Sequence, residues 1–163
     1  MKVIQLVAWL LSVVSFNGLA QTYTYVDYST PDNFEDGKTT VALDISSKQI
    51  MSSDWVNTIF VCDKLSAFYC FRYPAISFYV PKAGVVSGQR WAIGGVSFKV
   101  LRKENIRVLG LTKEAWVIKA VRLDRCDFFY YSPNDGLLAM KHVGKNGQQV
   151  QFFMVEGWKG FPK

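Results

Sequence analysis

Histidine is almost missing from this chain, since His142 is the one histidine among 163 residues. A Ser/His/Asp or Cys/His catalytic site would have to be built on His142, and no Gly-x-Ser-x-Gly nucleophile elbow occurs. One histidine does not fill a tetrahedral zinc site together with cysteines that are expected to be oxidised. The glycine-containing segment 84–88 is not a phosphate-binding loop, because the lysine of that motif is missing. We therefore predict no catalytic residue, no metal site and no cofactor.

Long hydrophobic runs are also scarce, and the one that stands out lies at the start. The run from Val3 to Phe16 follows Met1-Lys2 and precedes the small residues of Gly18-Leu19-Ala20, which is typical of a secretory signal peptide. A membrane span needs about 20 apolar residues, and no later run reaches that length. We predict a signal peptide over 1–20 and a single exported β domain over 21–163, periplasmic or secreted, without a transmembrane span.

Cysteine is limited to three positions, and exported proteins meet oxidising conditions. Cys62 and Cys70 flank a plausible turn, Asp63–Ala67, which can place them opposite each other on adjacent strands. We therefore predict a disulfide between Cys62 and Cys70. Cys126 is left over, as a small buried residue or as a partner in an alternative pairing.

Charge is unevenly distributed along the predicted mature chain. Residues 21–81 hold four Lys/Arg against seven Asp/Glu, whereas residues 82–163 hold fourteen against six. A basic half can attract anionic lipid headgroups, lipopolysaccharide, cell-wall polymers or an acidic partner. Because these charges are spread singly, an ordinary solvated surface remains an alternative. No nucleic-acid motif is present, so nucleic acid is not a predicted partner.

Short apolar segments alternate with polar turns from Trp91 to Val155, which indicates a β-meander. Its clearest hairpin joins Phe128–Tyr131 to Leu137–Val143 through the turn residues of 132–136. Val96–Leu101 and Ile106–Leu109 predict a second hairpin, with turns at 102–105 and at 112–114. Elsewhere, Ser46–Asp54 is the one place where a short helix is considered.

Several of these strands are apolar on both faces. In Trp116-Val117-Ile118 and in Leu137–Met140 neither set of alternate residues is polar, so both faces of the sheet centre must be covered. Sheet curvature, a second sheet or a bound apolar ligand can provide this cover. We predict an all-β fold: a curved antiparallel sheet, half-barrel or open barrel of about eight strands, with at most one short helix.

Three segments of the meander resemble the closing strands of Gram-negative periplasmic β-meander proteins: Trp116–Arg122, Phe129–Pro133 and Gly136–Lys141. That group includes the LolA and LolB lipoprotein carriers, whose half-barrel holds acyl chains. The resemblance covers about a quarter of the chain, and it implies an architecture and not an activity.

Abundant aromatic residues (12 Phe, 8 Tyr and 5 Trp), two-sided apolar strands and the basic half favour a non-catalytic envelope protein. We expect it to bind a protein partner or a lipophilic or anionic ligand, with toxin neutralisation and envelope assembly both open as roles. The alternative is an envelope hydrolase that uses His142 with Cys126 or a serine. The predicted binding residues are Trp116, Tyr130, Tyr131, Lys99, Arg107, Lys119 and Lys141.

Overall fold

The computed structural model describes residues 21–27, 40–108, 110–123, 125–144, 146–157 and 159–162. The predicted signal peptide and residues 28–39 lie outside the described residues. Within the described ranges every regular element is a β-strand. The strands are β1 (Thr22–Asp27), β2 (Thr40–Asp44), β3 (Gln49–Ser52), β4 (Trp55–Thr58), β5 (Phe60–Val61), β6 (Phe68–Tyr73), β7 (Ile76–Pro81), β8 (Arg90–Ile93), β9 (Val96–Val108), β10 (Leu111–Arg122), β11 (Arg125–Ser132), β12 (Gly136–Val143) and β13 (Gln149–Glu156).

The strands form two sheets. Ten make a large sheet in the order β4-β3-β2-β1-β13-β12-β11-β10-β9-β8, and β5-β6-β7 make a small one. All pairings are antiparallel, and the large sheet is not closed into a barrel. The predicted all-β antiparallel class is therefore confirmed, with more strands than the eight expected. No short helix forms over Ser46–Asp54, which instead holds two turns and β3 because its backbone pairs with β2 and β4.

The chain moves from the large sheet to the small one at Ile59, whose side chain is buried. This crossing separates β4 from β5, which belong to different sheets. The predicted disulfide between Cys62 and Cys70 is present, with the Cα atoms 5.2 Å apart. Cys126 is free. The disulfide closes the turn after β5 and so stabilises the smallest sheet.

Two of the predicted turns are wrong. Residues 102–105 lie inside β9, and residues 112–114 lie inside β10. The single turn between these strands falls around Gly110, which has a φ of 79°. The polar residues do not interrupt the strands because they pair along and across them: Lys103 Nζ lies 2.7 Å from Glu114 Oε1. The result is a long two-stranded ribbon of β9 and β10. The pairing of β10 with β11 starts at Trp116, so the part of the ribbon near Gly110 extends beyond β11.

One face of the large sheet, here called the inner face, packs against the small sheet. Phe78 of β7 is fully buried, and its ring centroid lies 5.1 Å from that of Phe129 and 6.2 Å from that of Tyr131. The small sheet thus covers the apolar side chains on the inner face of the large sheet. This agrees with the prediction that strands apolar on both faces must be covered on both. The opposite, outer face also has buried side chains: Val26 and Val117 are 2% exposed and Ala139 is 0% exposed.

The C-terminal segment 159–162 completes the inner core. Phe161 is 4% exposed and lies among aromatic rings of both sheets. The Phe161 backbone N–H donates to the Tyr25 hydroxyl at 3.1 Å, and that hydroxyl donates to the Leu137 carbonyl at 3.1 Å. Gly160 lies directly against β12, because a Cβ atom there would be 1.8 Å from the Leu137 carbonyl oxygen.

Candidate functional site

Four basic residues form a straight row across the outer face. Arg90 pairs with Lys99, Lys99 pairs with Lys119, and Lys119 and Lys141 each pair with Phe128. Directly opposed residues on antiparallel strands project from the same face. At about 4.8 Å between strands, the row from β8 to β12 spans about 19 Å. We call Arg90, Lys99, Lys119 and Lys141 the basic row.

A β-bulge creates the alignment of Lys99 with Lys119. At the hairpin end the register pairs Val117 with Arg102, but the next pair is Ile118 with Val100. The extra residue shifts the register by one, so that Lys119 meets Lys99 and not its neighbour Val100. A one-residue shift moves a whole strand segment to the other face. The bulge therefore brings these two lysines together on the outer face.

Like charges placed directly opposite each other destabilise a sheet. Across the described residues, no carboxylate oxygen forms an ion pair with any member of the basic row; the ion pairs present involve other side chains. Arg90 and Lys99 are exposed, and Lys119 and Lys141 are half-buried. Such an arrangement needs compensation from solvent, salt or a bound anion.

A shallow depression of about 550 Å³ lies at the β8 end of the row. Its lining includes three cations of the row, Arg90, Lys99 and Lys119, together with Ser97 and Val121. Val121 is 41% exposed, so an apolar contact lies beside the charges. Three cations and a hydroxyl around one depression make a site for an anionic group such as a phosphate.

The predicted residues Arg107 and Trp116 lie apart from the basic row. Arg107 pairs with Thr112 near the tip of the long ribbon. Eight residues separate it from Lys99, which is about 26 Å along an extended strand. Trp116 is half-buried, and Lys103 Nζ lies 5.0 Å from its ring centroid. The chain's own lysine thus occupies a face of that ring.

The two predicted tyrosines lie on opposite faces of β11. Tyr130 pairs with Val117 and is half-buried on the outer face, two residues from Phe128, which lies between Lys119 and Lys141. Burial raises the pKa of the Tyr130 hydroxyl, and Glu104 raises it further. Tyr131 is 6% exposed and packs against Phe78 in the inner core. Tyr131 is therefore a core residue, whereas the sequence analysis had placed it among the binding residues.

A second candidate site lies on the inner face, in a cleft between the two sheets. Two cross-strand pairs of β11 and β12 form its floor, Phe129 opposite Met140 and Asp127 opposite His142. Phe129 and Met140 are 1% and 5% exposed, whereas the side chains of Asp127 and His142 are 15% and 21% exposed. The floor thus changes from apolar to polar towards the end of the cleft that carries Arg125.

The turn between β6 and β7 provides the opposite wall of the cleft. Tyr73 and Ile76 line a space of about 250 Å³, and both also line an adjoining chamber of about 80 Å³. Trp55 lines the smaller chamber and stacks on Tyr73, with ring centroids 6.4 Å apart. Both chambers also share Met140, so they form one continuous inter-sheet cleft with an aromatic wall.

The polar pair in the cleft consists of the Asp127 carboxylate and the His142 imidazole. His142 Nδ1 is hydrogen-bonded to Asp127 Oδ1. Burial raises the pKa of Asp127, while the hydrogen bond to His142 and the positive charges of Arg125 and Arg122 oppose that rise. A bonded carboxylate orients the ring and sets its tautomer. The pair can therefore present His142 Nε2 as a positioned polar group.

The structure contradicts the pairing of His142 with Cys126. Cys126 is opposite Val143, and its neighbour Asp127 is opposite His142, so Cys126 and His142 project from opposite faces. Burial raises the pKa of the Cys126 thiol, which disfavours the nucleophilic thiolate. Among the described residues that line the cleft, none is a serine, threonine or cysteine. In the part of the chain that the structure describes, no group of three His, Cys, Asp or Glu side chains is placed to hold a metal ion.

Sequence reasoning missed Arg90 and the whole cleft. Arg90 carried a usable signal, because the two-residue turn at Gly94-Gly95 pairs Ile93 with Val96 and so places Arg90 opposite Lys99. No comparable signal existed for Asp127 and His142. Their pairing depends on a bulge at Tyr130/Tyr131 that shifts the register of β11 and β12.

Comparison of the chain with protein-family models, with curated proteins and with solved structures found no match. Among the residues described, no helix is long and apolar enough to cross a membrane. The basic row and the inter-sheet cleft are the two features from which a function can be inferred.

Proposed function

We propose that this chain is an exported, non-catalytic binding protein whose basic row binds anionic lipid headgroups at a membrane surface of the cell envelope. The observation that carries the proposal is the cross-strand alignment of Arg90, Lys99, Lys119 and Lys141 without an ion-pair partner among the described residues. The disulfide between Cys62 and Cys70 supports an oxidising compartment. The resemblance to periplasmic β-meander proteins points in the same direction.

Lipid headgroups fit this face better than an isolated soluble anion does, because apolar side chains accompany the charges. Val121 is 41% exposed beside the depression, and Leu123 is 96% exposed at the turn that follows β10. Phe128 and Tyr130 continue this half-buried apolar surface along β11. A surface that combines cations with exposed apolar groups is typical of proteins that bind at the membrane interface.

The strength of this binding follows from the number of cations. Each Lys or Arg near an anionic surface contributes about 1 kcal/mol, so four give about 4 kcal/mol, enough for weak and reversible binding. Replacing one lysine by glutamate removes at least one such contribution, and 1 kcal/mol corresponds to about fivefold in the partition coefficient. Because exposed charges are screened by salt, binding is expected to weaken steeply from about 0.05 to 0.5 M salt.

The test is co-sedimentation with lipid vesicles. Wild-type protein is expected to bind vesicles that contain about one quarter phosphatidylglycerol and not to bind vesicles of pure phosphatidylcholine. Lys119→Glu is expected to lower binding at least fivefold. Lys64→Glu is the matched control, since it makes the same charge change at an exposed position in the turn before β6 and is expected to bind as wild type does. Circular dichroism checks that each variant is folded.

Four results would contradict the proposal. Equal binding to both kinds of vesicle would remove the role of charge, and an equal loss in Lys64→Glu would show that net charge matters and the row does not. Binding of inorganic phosphate without binding of vesicles would identify a site for soluble anions. Binding of an acidic protein from the envelope in place of vesicles would likewise favour a protein partner.

A further inference from the structure

The inter-sheet cleft is not used by the proposed binding of lipid headgroups. Its floor is the inner face of β11 and β12, whereas the side chains of the basic row project from their outer face. Of the row, Lys141 also borders the cleft. The cleft combines buried apolar side chains with one polar pair, which is the usual composition of small-molecule sites. We propose that it binds a small uncharged molecule with an aromatic body and a hydroxyl group that donates a hydrogen bond to His142.

The size of the molecule follows from the two chambers. They measure about 250 and 80 Å³, which together lie near the lower limit of about 300 Å³ for ligand pockets. A molecule of about ten non-hydrogen atoms fits this space. The aromatic wall of Tyr73 and Trp55 and the floor of Phe129 favour a ring, because aromatic pairs prefer stacked or edge-to-face contacts.

The charges at the polar end favour an uncharged ligand. Two carboxylates, Asp127 and Asp27, and two cations, Arg125 and Lys141, line the cleft. The positive charges of Arg125 and Arg122 act on Asp127. The Arg122 guanidinium is held nearby, since it donates to the Pro74 carbonyl at 3.4 Å in the turn that forms the opposite wall. An anionic ligand would meet the Asp127 carboxylate, and a cationic ligand would meet the two guanidinium groups. A ligand of either charge would therefore gain no net electrostatic stabilisation in the cleft.

The hydrogen-bond pattern specifies a donor on the ligand. With the carboxylate ionised, His142 Nδ1–H donates to Asp127 Oδ1, so the second ring nitrogen, Nε2, carries a lone pair in the neutral imidazole. Within the described part of the chain, no hydrogen bond to Nε2 is formed. A hydroxyl group of the ligand can donate to Nε2. A molecule of the same shape without the hydroxyl leaves a partly buried acceptor unpaired.

The test uses two probes of nearly equal shape, 4-ethylphenol and 4-ethyltoluene, titrated into the folded chain by calorimetry. Without a hydrogen bond the more apolar 4-ethyltoluene would bind more tightly, because it loses less solvation. We expect wild type to prefer 4-ethylphenol at least fivefold. We expect Asp127→Leu/His142→Leu to reverse this preference. The double variant replaces both partners of a buried pair by apolar groups, which proteins usually tolerate.

Two further variants locate the site. Ile76→Trp fills the cleft and is expected to abolish the binding of both probes. Lys119→Glu on the outer face is the control and is expected to leave probe binding unchanged, so this result is independent of the lipid proposal. Absence of saturable binding to wild type, an unchanged preference in the double variant, or unchanged binding in a folded Ile76→Trp variant would overturn the proposal.

Discussion

Phe161 offers a sharp test of how the two sheets are held together, because it lies two residues before Lys163 and yet belongs to the core. Its side chain is 4% exposed. Its ring centroid lies 5.7 Å from that of Tyr23, 5.4 Å from that of Phe71 and 6.1 Å from that of Phe78. Removing this ring therefore affects both sheets at once.

The expected size of the effect follows from that burial. A buried Phe→Ala substitution costs about 3–5 kcal/mol through lost burial and the cavity that remains, out of about 5–15 kcal/mol for a typical domain. Phe60→Ala is the matched control, since that ring is 51% exposed and has the Arg72 guanidinium 5.5 Å from its centroid. The control should lose no more than about 1 kcal/mol.

The assay is equilibrium unfolding in urea with the disulfide intact, followed by tryptophan fluorescence. A similar loss in Phe161→Ala and Phe60→Ala, or a loss below about 1 kcal/mol in Phe161→Ala, would refute the reasoning by showing that the C-terminal segment is not docked. Gly160→Ala provides an independent check. Its Cβ would lie 1.8 Å from the Leu137 carbonyl oxygen, so the segment must move and stability must fall even with Phe161 in place.

Two further predictions concern the disulfide and the response to alkali. Cys62→Ala/Cys70→Ala should lower the free energy of unfolding by about 2–3 kcal/mol, from the entropy of closing so short a loop, and Cys126→Ala should change it far less; equal effects in urea unfolding would contradict the disulfide's role. Burial raises the pKa of the Tyr25 hydroxyl, so its stabilising contribution is complete below about pH 10 and is lost as the pH rises further. Tyr25→Phe should therefore be less stable than wild type at pH 7, because the Phe161 N–H loses its acceptor. The variant should, however, lose less stability than wild type between about pH 9 and 11. An identical pH dependence of stability in the two proteins would exclude Tyr25 as the cause of the loss in alkali.

The all-β class, the antiparallel pairing and the Cys62–Cys70 disulfide could all be predicted from local patterns. Apolar and polar residues alternate with a period of two, and turn residues separate the segments. The apolar character of Val117 and Ala139 on the second face also required that both faces be covered, and both residues are buried. Local composition misled at 102–105, where charged residues suggested a turn but pair within the β9–β10 ribbon.

The small sheet and its position could not be predicted in the same way. Its strands look like any others in sequence, and the crossing at Ile59 is visible only once burial is known. The role of Phe161 is equally hidden, because a single aromatic residue near the end of a chain has no periodic pattern around it. Both depend on contacts between residues far apart in sequence.

The sequence by itself determined which chemical groups this protein has and, through alternation, which of them are neighbours on one strand. The tertiary structure decided which groups meet across strands. Had the pairing of Tyr131 with Leu137 continued without a bulge, Asp127 would lie opposite Lys141; the bulge places it opposite His142. A bulge in β9 likewise aligns Lys99 with Lys119. A shift of one residue exchanges the faces of a strand, and whether a strand makes that shift depends on how the whole core packs.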